Sequence, residues 1–208
     1  MIVLHDYWRS SASYRVRIAL TMKGVPYERR EVNLLKGEQS APGNTALNAQ
    51  GLVPTLEVDG HAIGQSVAII DWLDATYPDP KLIPADPLVR AATLQRALAI
   101  AADIHPIDNL RVLRRLSAMG IDQTGRDDWY RHWIAEGFAA LETMAGDGPF
   151  LGGAAPDLSD VCLVPQMYNA RRLETPLDAY PRLVAADAAM TALPAVAAAH
   201  PDRFTPAG

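Results

Sequence analysis

The sequence predicts an α/β domain followed by an all-helical one, and three observations carry that expectation. Short strand-like runs alternate with helical stretches in the first part of the chain; a proline-rich connection follows; beyond it, apolar residues recur at helical spacing in segments rich in alanine and leucine. Ile2, Val3 and Leu4 open a first strand, and over residues 15–22 the apolar positions take the helical period. Between them lies Trp8-Arg9-Ser10-Ser11-Ala12-Ser13-Tyr14. A helix starting near Ser11 or Ser13 would point unpaired backbone N–H groups and a partial positive charge at a bound anion. The same serines can equally serve as helix caps. Residues 27–32 read as a second strand, and Gly51-Leu52-Val53-Pro54-Thr55-Leu56-Glu57-Val58 as a loop leading into a third. Asp59-Gly60 turns the chain into a short fourth, His61-Ala62-Ile63. An apolar helix then follows over residues 67–73, with Ser66 expected as its N-cap. The order βαβ, then ββα, is that of a thioredoxin-like domain, and it sets two helix starts, near Ser11 and Ser66, at one end of the sheet.

The connection is Tyr77-Pro78-Asp79-Pro80-Lys81-Leu82-Ile83-Pro84-Ala85-Asp86-Pro87, where neither a long helix nor a central strand can persist. The expected division is residues 1–78, a linker over 79–87 and a helical domain over 88–208. Helices are expected over 88–118, bent at Pro106, and over 126–145, 158–172 and 183–199, the last interrupted at Pro194. Asp157-Leu158-Ser159-Asp160 has the form of a capping box with a structural role. Residues 202–208 are expected to be loose.

Composition bounds the function without choosing it. The 208 residues are 49% hydrophobic and 21% charged, enough for one or two domains with a substantial core. Strand residues follow Met1 at once and no apolar run approaches the ~20 residues that cross a bilayer, so neither a leader nor a membrane span is expected. The net charge of -5 argues against nucleic acid or an anionic membrane as partner. The single cysteine, Cys162, allows no internal disulfide and suits a reducing cytoplasm. No metal ligands are assigned.

The segment Ser10-Ser11-Ala12-Ser13-Tyr14-Arg15-Val16-Arg17-Ile18-Ala19-Leu20 resembles the signature of the zeta-class glutathione transferases, the family of maleylacetoacetate and maleylpyruvate isomerases. The resemblance continues through Leu52-Val53-Pro54-Thr55-Leu56, Gln65-Ser66-Val67-Ala68-Ile69-Ile70, Asp103-Ile104-His105-Pro106-Ile107-Asp108-Asn109 and Asp160-Val161-Cys162-Leu163-Val164-Pro165-Gln166, covering nearly the whole chain. The Val-Pro and Gln-Ser elements occur across many transferase classes, whereas Ser-Ser-x-Ser-x-Arg-Val-Arg-Ile is much narrower. It implies the glutathione transferase fold, glutathione as cofactor and a homodimer.

By that resemblance Gln65, Ser66 and the N–H groups opening their helix take the γ-glutamyl carboxylate. Val53, before a Pro54 expected to be cis, pairs its backbone with the cysteinyl unit. Gln39, His105 and Asn109 also reach the tripeptide; His105 and Asn109 are four apart and would share one helix face. A free thiol of pKa ~8.5 needs activation at neutral pH. The family gives that role to Ser10, with Ser11 as the alternative. The thiolate would add to the cis double bond of a dianionic maleyl substrate, allow rotation in the resulting enolate and then be expelled, so that glutathione is regenerated. Arginines should converge on so much negative charge: Arg9, Arg111 and Arg172 are the candidates. Arg111 and Arg172 match arginines of maleylpyruvate isomerases, which tilts the reading toward maleylpyruvate over maleylacetoacetate.

Arg15 and Arg17 are expected to be structural, snorkelling from the first helix. Ala12 stands where most zeta enzymes have cysteine, so chemistry that depends on that thiol is absent. Weak conjugating activity is a possible addition, and a non-catalytic glutathione-binding module is the alternative to an enzyme. Cys162, in an apolar run, is expected to be buried and slow to react.

Overall fold

The computed structural model describes residues 1–205 and divides the chain into two units. The first comprises residues 1–81 together with the segment from Ala192 onward; the second is residues 82–191.

In the first unit, strand β1 (Ile2–Asp6) is followed by helix α1 (Ser11–Met22), β2 (Glu28–Glu31), a single helical turn at Glu38–Ser40, α2 (Pro42–Leu47), β3 (Thr55–Val58), β4 (His61–Gly64) and α3 (Ser66–Thr76). The sheet order is β2-β1-β3-β4, with β1 parallel to β2 and antiparallel to β3. This is the expected thioredoxin-like arrangement. β1 lies in the interior and is buried at every position: the apolar Ile2, Val3 and Leu4 are followed by the buried polar His5 and Asp6. β2, an edge strand, reads Glu-Arg-Arg-Glu, and that charge guards it against pairing with another chain.

Helix α1 is buried on nearly all sides because α3 and α10 (Pro194–Ala198) both pack against it. Its arginines therefore do not snorkel, as their long stems had suggested. Arg15 and Arg17 are almost wholly buried, Arg15 donating from Nη1 to Ser66 Oγ at 3.2 Å and Arg17 donating to both oxygens of Asp6 at 2.8 and 2.9 Å. The segment from 202 is not loose as far as it is described: Pro201–Arg203 forms one helical turn, and the Phe204 ring lies against Arg17 and Arg29. Residues 206–208 lie outside the described residues.

The second unit contains α4 (Pro87–Leu98), a π-helical stretch (Ala99–Ile104), α5 (His105–Ile107), α6 (Leu110–Ala118), α7 (Gln123–Met144), α8 (Leu158–Arg172) and α9 (Pro181–Thr191). Its core includes Ala97, Ile100, Ile104, Ile134, Phe138, Leu141, Leu158, Val161, Cys162, Leu163, Met167 and Leu183. The capping box forms as expected: Asp157 accepts from Ser159 N–H, and Asp160 Oδ2 accepts from Asp157 N–H at 3.0 Å. Burial pushes the Asp160 carboxyl up to about 7 against the lowering effect of the Asp157 and Leu151 amides. Cys162 is fully buried.

The long helix expected over 88–118 is interrupted. Before Pro106 the backbone widens into the π stretch, and after it the helix stops at Asp108 and restarts from Asn109, whose backbone is extended. Proline removes a donor and crowds the preceding turn, and here the chain answers with a break rather than a bend.

Candidate glutathione and substrate site

Two of the helix starts in the first unit, those of α1 and α3, differ in how they are closed. Ser10 caps α1: its Oγ accepts from Ser13 N–H at 3.3 Å, while its own N–H donates to Tyr7 carbonyl at 2.9 Å. Its hydroxyl oxygen is thus held as an acceptor, which leaves the O–H hydrogen to donate elsewhere. Ser11 is the first helical residue and is buried. Capping and thiol activation are therefore compatible at Ser10. Arg9 is exposed, its guanidinium 5.5 Å from the centre of the Trp8 ring.

At α3 the expectation fails in detail. Ser66 is not the cap but the first residue of the helix; the cap position is Gln65, at φ 66 and with no side-chain cap bond. Ser66 Oγ instead accepts from Arg15 Nη1. The opening N–H groups of α3, which have no partner inside the helix, consequently have no side-chain acceptor from the cap either. A non-glycine residue at positive φ costs on the order of 1 kcal/mol and persists where the surroundings over-determine it, commonly at a binding site. Gln65 Nε2 donates to Gln50 Oε1 at 2.7 Å, which ties this corner to the loop before β3.

Val53 precedes a cis Pro54 and lies just outside the β1–β3 ladder, whose register runs to His5 and Thr55. Its side chain packs with Tyr7 and Val32 in a small apolar cluster beside Trp8 and Leu34. Gln39 sits in the turn Glu38–Ser40, and its Oε1 is buried without a hydrogen-bond partner among the described residues. At Gly51, with φ +60, an added Cβ would come 3.3 Å from Gln39 carbonyl, so glycine lets that turn and the Val53 loop approach. Arg15 links α1 to the start of α3, and Gly51 brings the Gln39 turn beside the loop that leads to Val53.

In the second unit the sequence places His105, Asn109 and Arg111 in one short segment, but not on one helix face. His105 is helical, Asn109 is the extended cap of α6, and its Oδ1 accepts from Arg111 N–H at 3.1 Å. That leaves the Asn109 Nδ2 hydrogens available as donors. The Arg111 side chain is exposed in the first turn of α6. Arg172 is on a different helix, at the end of α8, 5.8 Å from the centre of the Tyr130 ring. The segment is fixed to α7 at two points. Trp129 Nε1 donates to Ile107 carbonyl at 3.2 Å, and a Cβ at Gly137 would fall 2.2 Å from Ile104 Cδ1, an approach only glycine permits.

Two features of these segments escape the sequence reading. Asp108 is buried, neither carboxyl oxygen has a hydrogen-bond partner among the described residues, and burial alone pushes it up to about 8. Arg17, besides its Asp6 pair, donates from Nη2 to Trp8 carbonyl at 2.9 Å and from Nε to Ala199 carbonyl at 3.2 Å. Only the charged residue type inside an apolar helix signals the second; nothing in the local pattern signals the first. Among the described residues no group of three or more His, Cys, Asp or Glu side chains could hold a metal ion.

A thioredoxin-like unit with a cis proline before β3 and an uncapped helix after β4, joined to a helical unit, defines a protein of the glutathione transferase fold. Residues 4–81 match the family model for the glutathione S-transferase N-terminal domain. A maleylacetoacetate isomerase of Rhizobium meliloti is 46% identical over 98% of this chain and 98% of that protein. A solved maleylpyruvate isomerase, described as a bacterial zeta-class glutathione S-transferase, superposes with a TM-score of 0.93 at 42% identity, covering 96% of each chain. A maleylacetoacetate isomerase of Methylobacterium extorquens AM1, solved with malonate and glutathione bound, gives 0.94 at 36% identity over 99% of this chain and all of the other. The chain belongs to the zeta-class glutathione transferases, the family of the maleylacetoacetate and maleylpyruvate isomerases.

Proposed function

We propose that the protein is a glutathione-dependent isomerase that converts maleyl dicarboxylates to their fumaryl forms, with maleylpyruvate or maleylacetoacetate as substrate and weak glutathione transferase activity as a side reaction. The observation that carries this reading is the contrast between the starts of α1 and α3: α1 is closed by Ser10, whereas α3 opens at a strained Gln65 with no side-chain cap bond. The open start, with Gln65 and Ser66, suits the γ-glutamyl carboxylate. The buried Gln39 Oε1 offers an acceptor that lacks a donor, and Val53 offers backbone beyond the ladder. These residues fit the tripeptide.

Bound there, glutathione supplies a thiolate that adds reversibly to the substrate double bond and leaves again once the bond has rotated. Ser10 donates its O–H to the sulfur and favours the charged form, with Ser11 as the alternative donor. His105 and Asn109 are further residues assigned to the tripeptide. Arg9, Arg111 and Arg172 bind the substrate carboxylates and stabilise the charge that develops beside them. A glutathione-binding module without turnover has no evident use for Arg9 and Arg111. Ala12 can neither bond to sulfur nor be alkylated, so the reaction needs no protein thiol.

The same reading places the protein in the cytoplasm as a homodimer. Its lone cysteine suits a reducing compartment, and among the described residues no helix is long and apolar enough to cross a membrane. The exposed face of α4 presents Leu88, Ala91 and Leu98, a stripe suited to a second copy. Absorbance assays with each maleyl substrate, run with and without glutathione, test the activity. Isomerisation that requires glutathione is expected, and equal rates without it would remove the proposal.

A further inference from the structure

Arg17 is a buried charged side chain with four hydrogen bonds, and nothing in the reaction uses it directly. It is fully buried in the middle of α1. Nη1 donates to both oxygens of Asp6 at 2.8 and 2.9 Å, Nη2 to Trp8 carbonyl at 2.9 Å and Nε to Ala199 carbonyl at 3.2 Å. Arg29 shares the same carboxylate, its Nε 2.7 Å from Asp6 Oδ2. The Phe204 ring covers both guanidinium groups, with its centre 4.7 Å from Arg17 Cζ and 5.4 Å from Arg29 Cζ. Tyr14 stands on another side of Arg17, at 5.3 Å.

One planar fork thereby joins the end of β1, the carbonyl immediately before Arg9, and the end of α10. The loop from Tyr7 to Ser10 is held at Ser10 N–H by Tyr7 carbonyl and at Trp8 carbonyl by Arg17. A guanidinium spreads five donors over three nitrogens in one plane and so reaches acceptors that lie well apart, whereas an ammonium presents its three donors from a single nitrogen. The aromatic ring over the fork favours the charge and keeps water from competing for its donors.

We propose that Arg17 is a positioning residue for the loop that carries Arg9 and Ser10, and that the chain's own C-terminal segment, through Ala199 carbonyl and the Phe204 ring, holds it in register. The inference rests on the reading of Ser10 as the group that activates the glutathione thiol. It assigns the segment from Ala192 to Thr205 a part in the first unit's chemistry although it lies at the far end of the sequence. A shift of the hydroxyl by a fraction of an ångström weakens its bond to sulfur and lowers the thiolate fraction without removing any group that touches glutathione.

The test compares Phe204→Leu, which keeps apolar volume but loses the ring face, with Phe204→Tyr, which keeps it. Arg17→Lys, which keeps a charge for Asp6 but loses the fork, is a second route to the same state. Three quantities are read well below the melting temperature: ultraviolet titration of the bound glutathione thiol, hydrogen exchange at Ser10 N–H in the glutathione-free protein, and kcat against KM for a maleyl substrate. Phe204→Leu and Arg17→Lys should raise the thiol pKa, speed exchange at Ser10 and lower kcat by about three- to tenfold with KM little changed, while Phe204→Tyr restores parent behaviour. Loss of stability with all three readouts at parent values would overturn the proposal and leave Arg17 a packing residue. Ser10→Ala separates the two claims. If it raises the thiol pKa while Phe204→Leu and Arg17→Lys do not, the positioning role alone is withdrawn. If it has no effect while Phe204→Leu still speeds exchange and lowers kcat, the assignment of Ser10 is withdrawn and the loop's dependence on Arg17 stands.

Discussion

Ser10 caps α1, and the proposed function asks the same hydroxyl to donate to the glutathione sulfur. Its oxygen is committed to Ser13 N–H, so removing it costs α1 a cap as well as the sulfur a donor. Ser10→Ala should raise the pKa of bound glutathione thiol by about one unit at most, the equivalent of a single neutral hydrogen bond, with affinity nearly intact. An unchanged ultraviolet titration would move the role to Ser11. Arg111→Leu should remove a charge-assisted contact of ~1.5–3 kcal/mol and cut kcat/KM for the preferred maleyl substrate about ten- to a hundredfold, leaving glutathione affinity alone. Equal steady-state activity would make Arg111 a surface charge and withdraw the tilt toward maleylpyruvate. Asp108 offers a stability test. Its carboxyl is pushed up to about 8 in the fold, against 3.8 for a free one. Between those values the folded protein holds a proton that the unfolded chain has lost, so stability is greatest in acid and declines as pH rises toward 8. Asp108→Asn should flatten the decline and raise the melting temperature at pH 8 more than at pH 5; an equal shift at both would show that Asp108 does not titrate in this window. Asp160, also raised by burial, contributes in the same direction and remains in the variant.

Elements were legible where a local signal decides them. The capping box at Asp157 and Asp160, the turn at Asp59-Gly60 and the run of residues 158–172 stand in the structure as the sequence implied. The break at 108–109 did not show, although its signal was present: an asparagine directly before the apolar Leu110 is a cap pattern, but Pro106 three residues earlier implies only a bend. Gln65 was unreadable because Ser66 is the better cap by residue type, and what overrides it is Arg15, which takes the serine oxygen. Arg15 and Arg17 misled for a related reason. Their burial depends on Ser66, Asp6 and Ala199, partners brought in by tertiary packing, the last 182 positions away. The π stretch before His105 lies against Gly137, where an added Cβ would fall 2.2 Å from Ile104 Cδ1 and force that side chain to move. Gly137→Ala should destabilise the protein by about 1–3 kcal/mol through overpacking and perturb the His105 segment. Denaturant melts with no loss of stability would show that α7 and the π stretch can part without cost.

At the scale of the whole chain, the prolines of residues 77–87 lie where the two units part, between Lys81 and Leu82. The return of the segment from Ala192 to the first unit was not legible in the sequence. That segment reads as alanine-rich helix whichever unit it joins, and tertiary contacts tell where it belongs: α10 packs on α1, Arg17 donates to Ala199 carbonyl and the Phe204 ring lies against Arg17. Assembly makes a further test. Leu88 is 83% exposed and Leu98 43% exposed on α4, and replacing both with arginine should shift the proposed homodimer to monomer by light scattering. A parent protein that is monomeric would end that proposal. In the proposed reaction glutathione is a cofactor returned after each turn, and no protein thiol takes part. The most direct measurement mixes the protein with a large molar excess of maleylpyruvate or maleylacetoacetate over glutathione and follows both compounds by NMR. Complete conversion to the fumaryl isomer, with glutathione recovered unchanged, is the predicted result. Conversion that stops when glutathione is consumed, or that proceeds equally in its absence, would contradict the account.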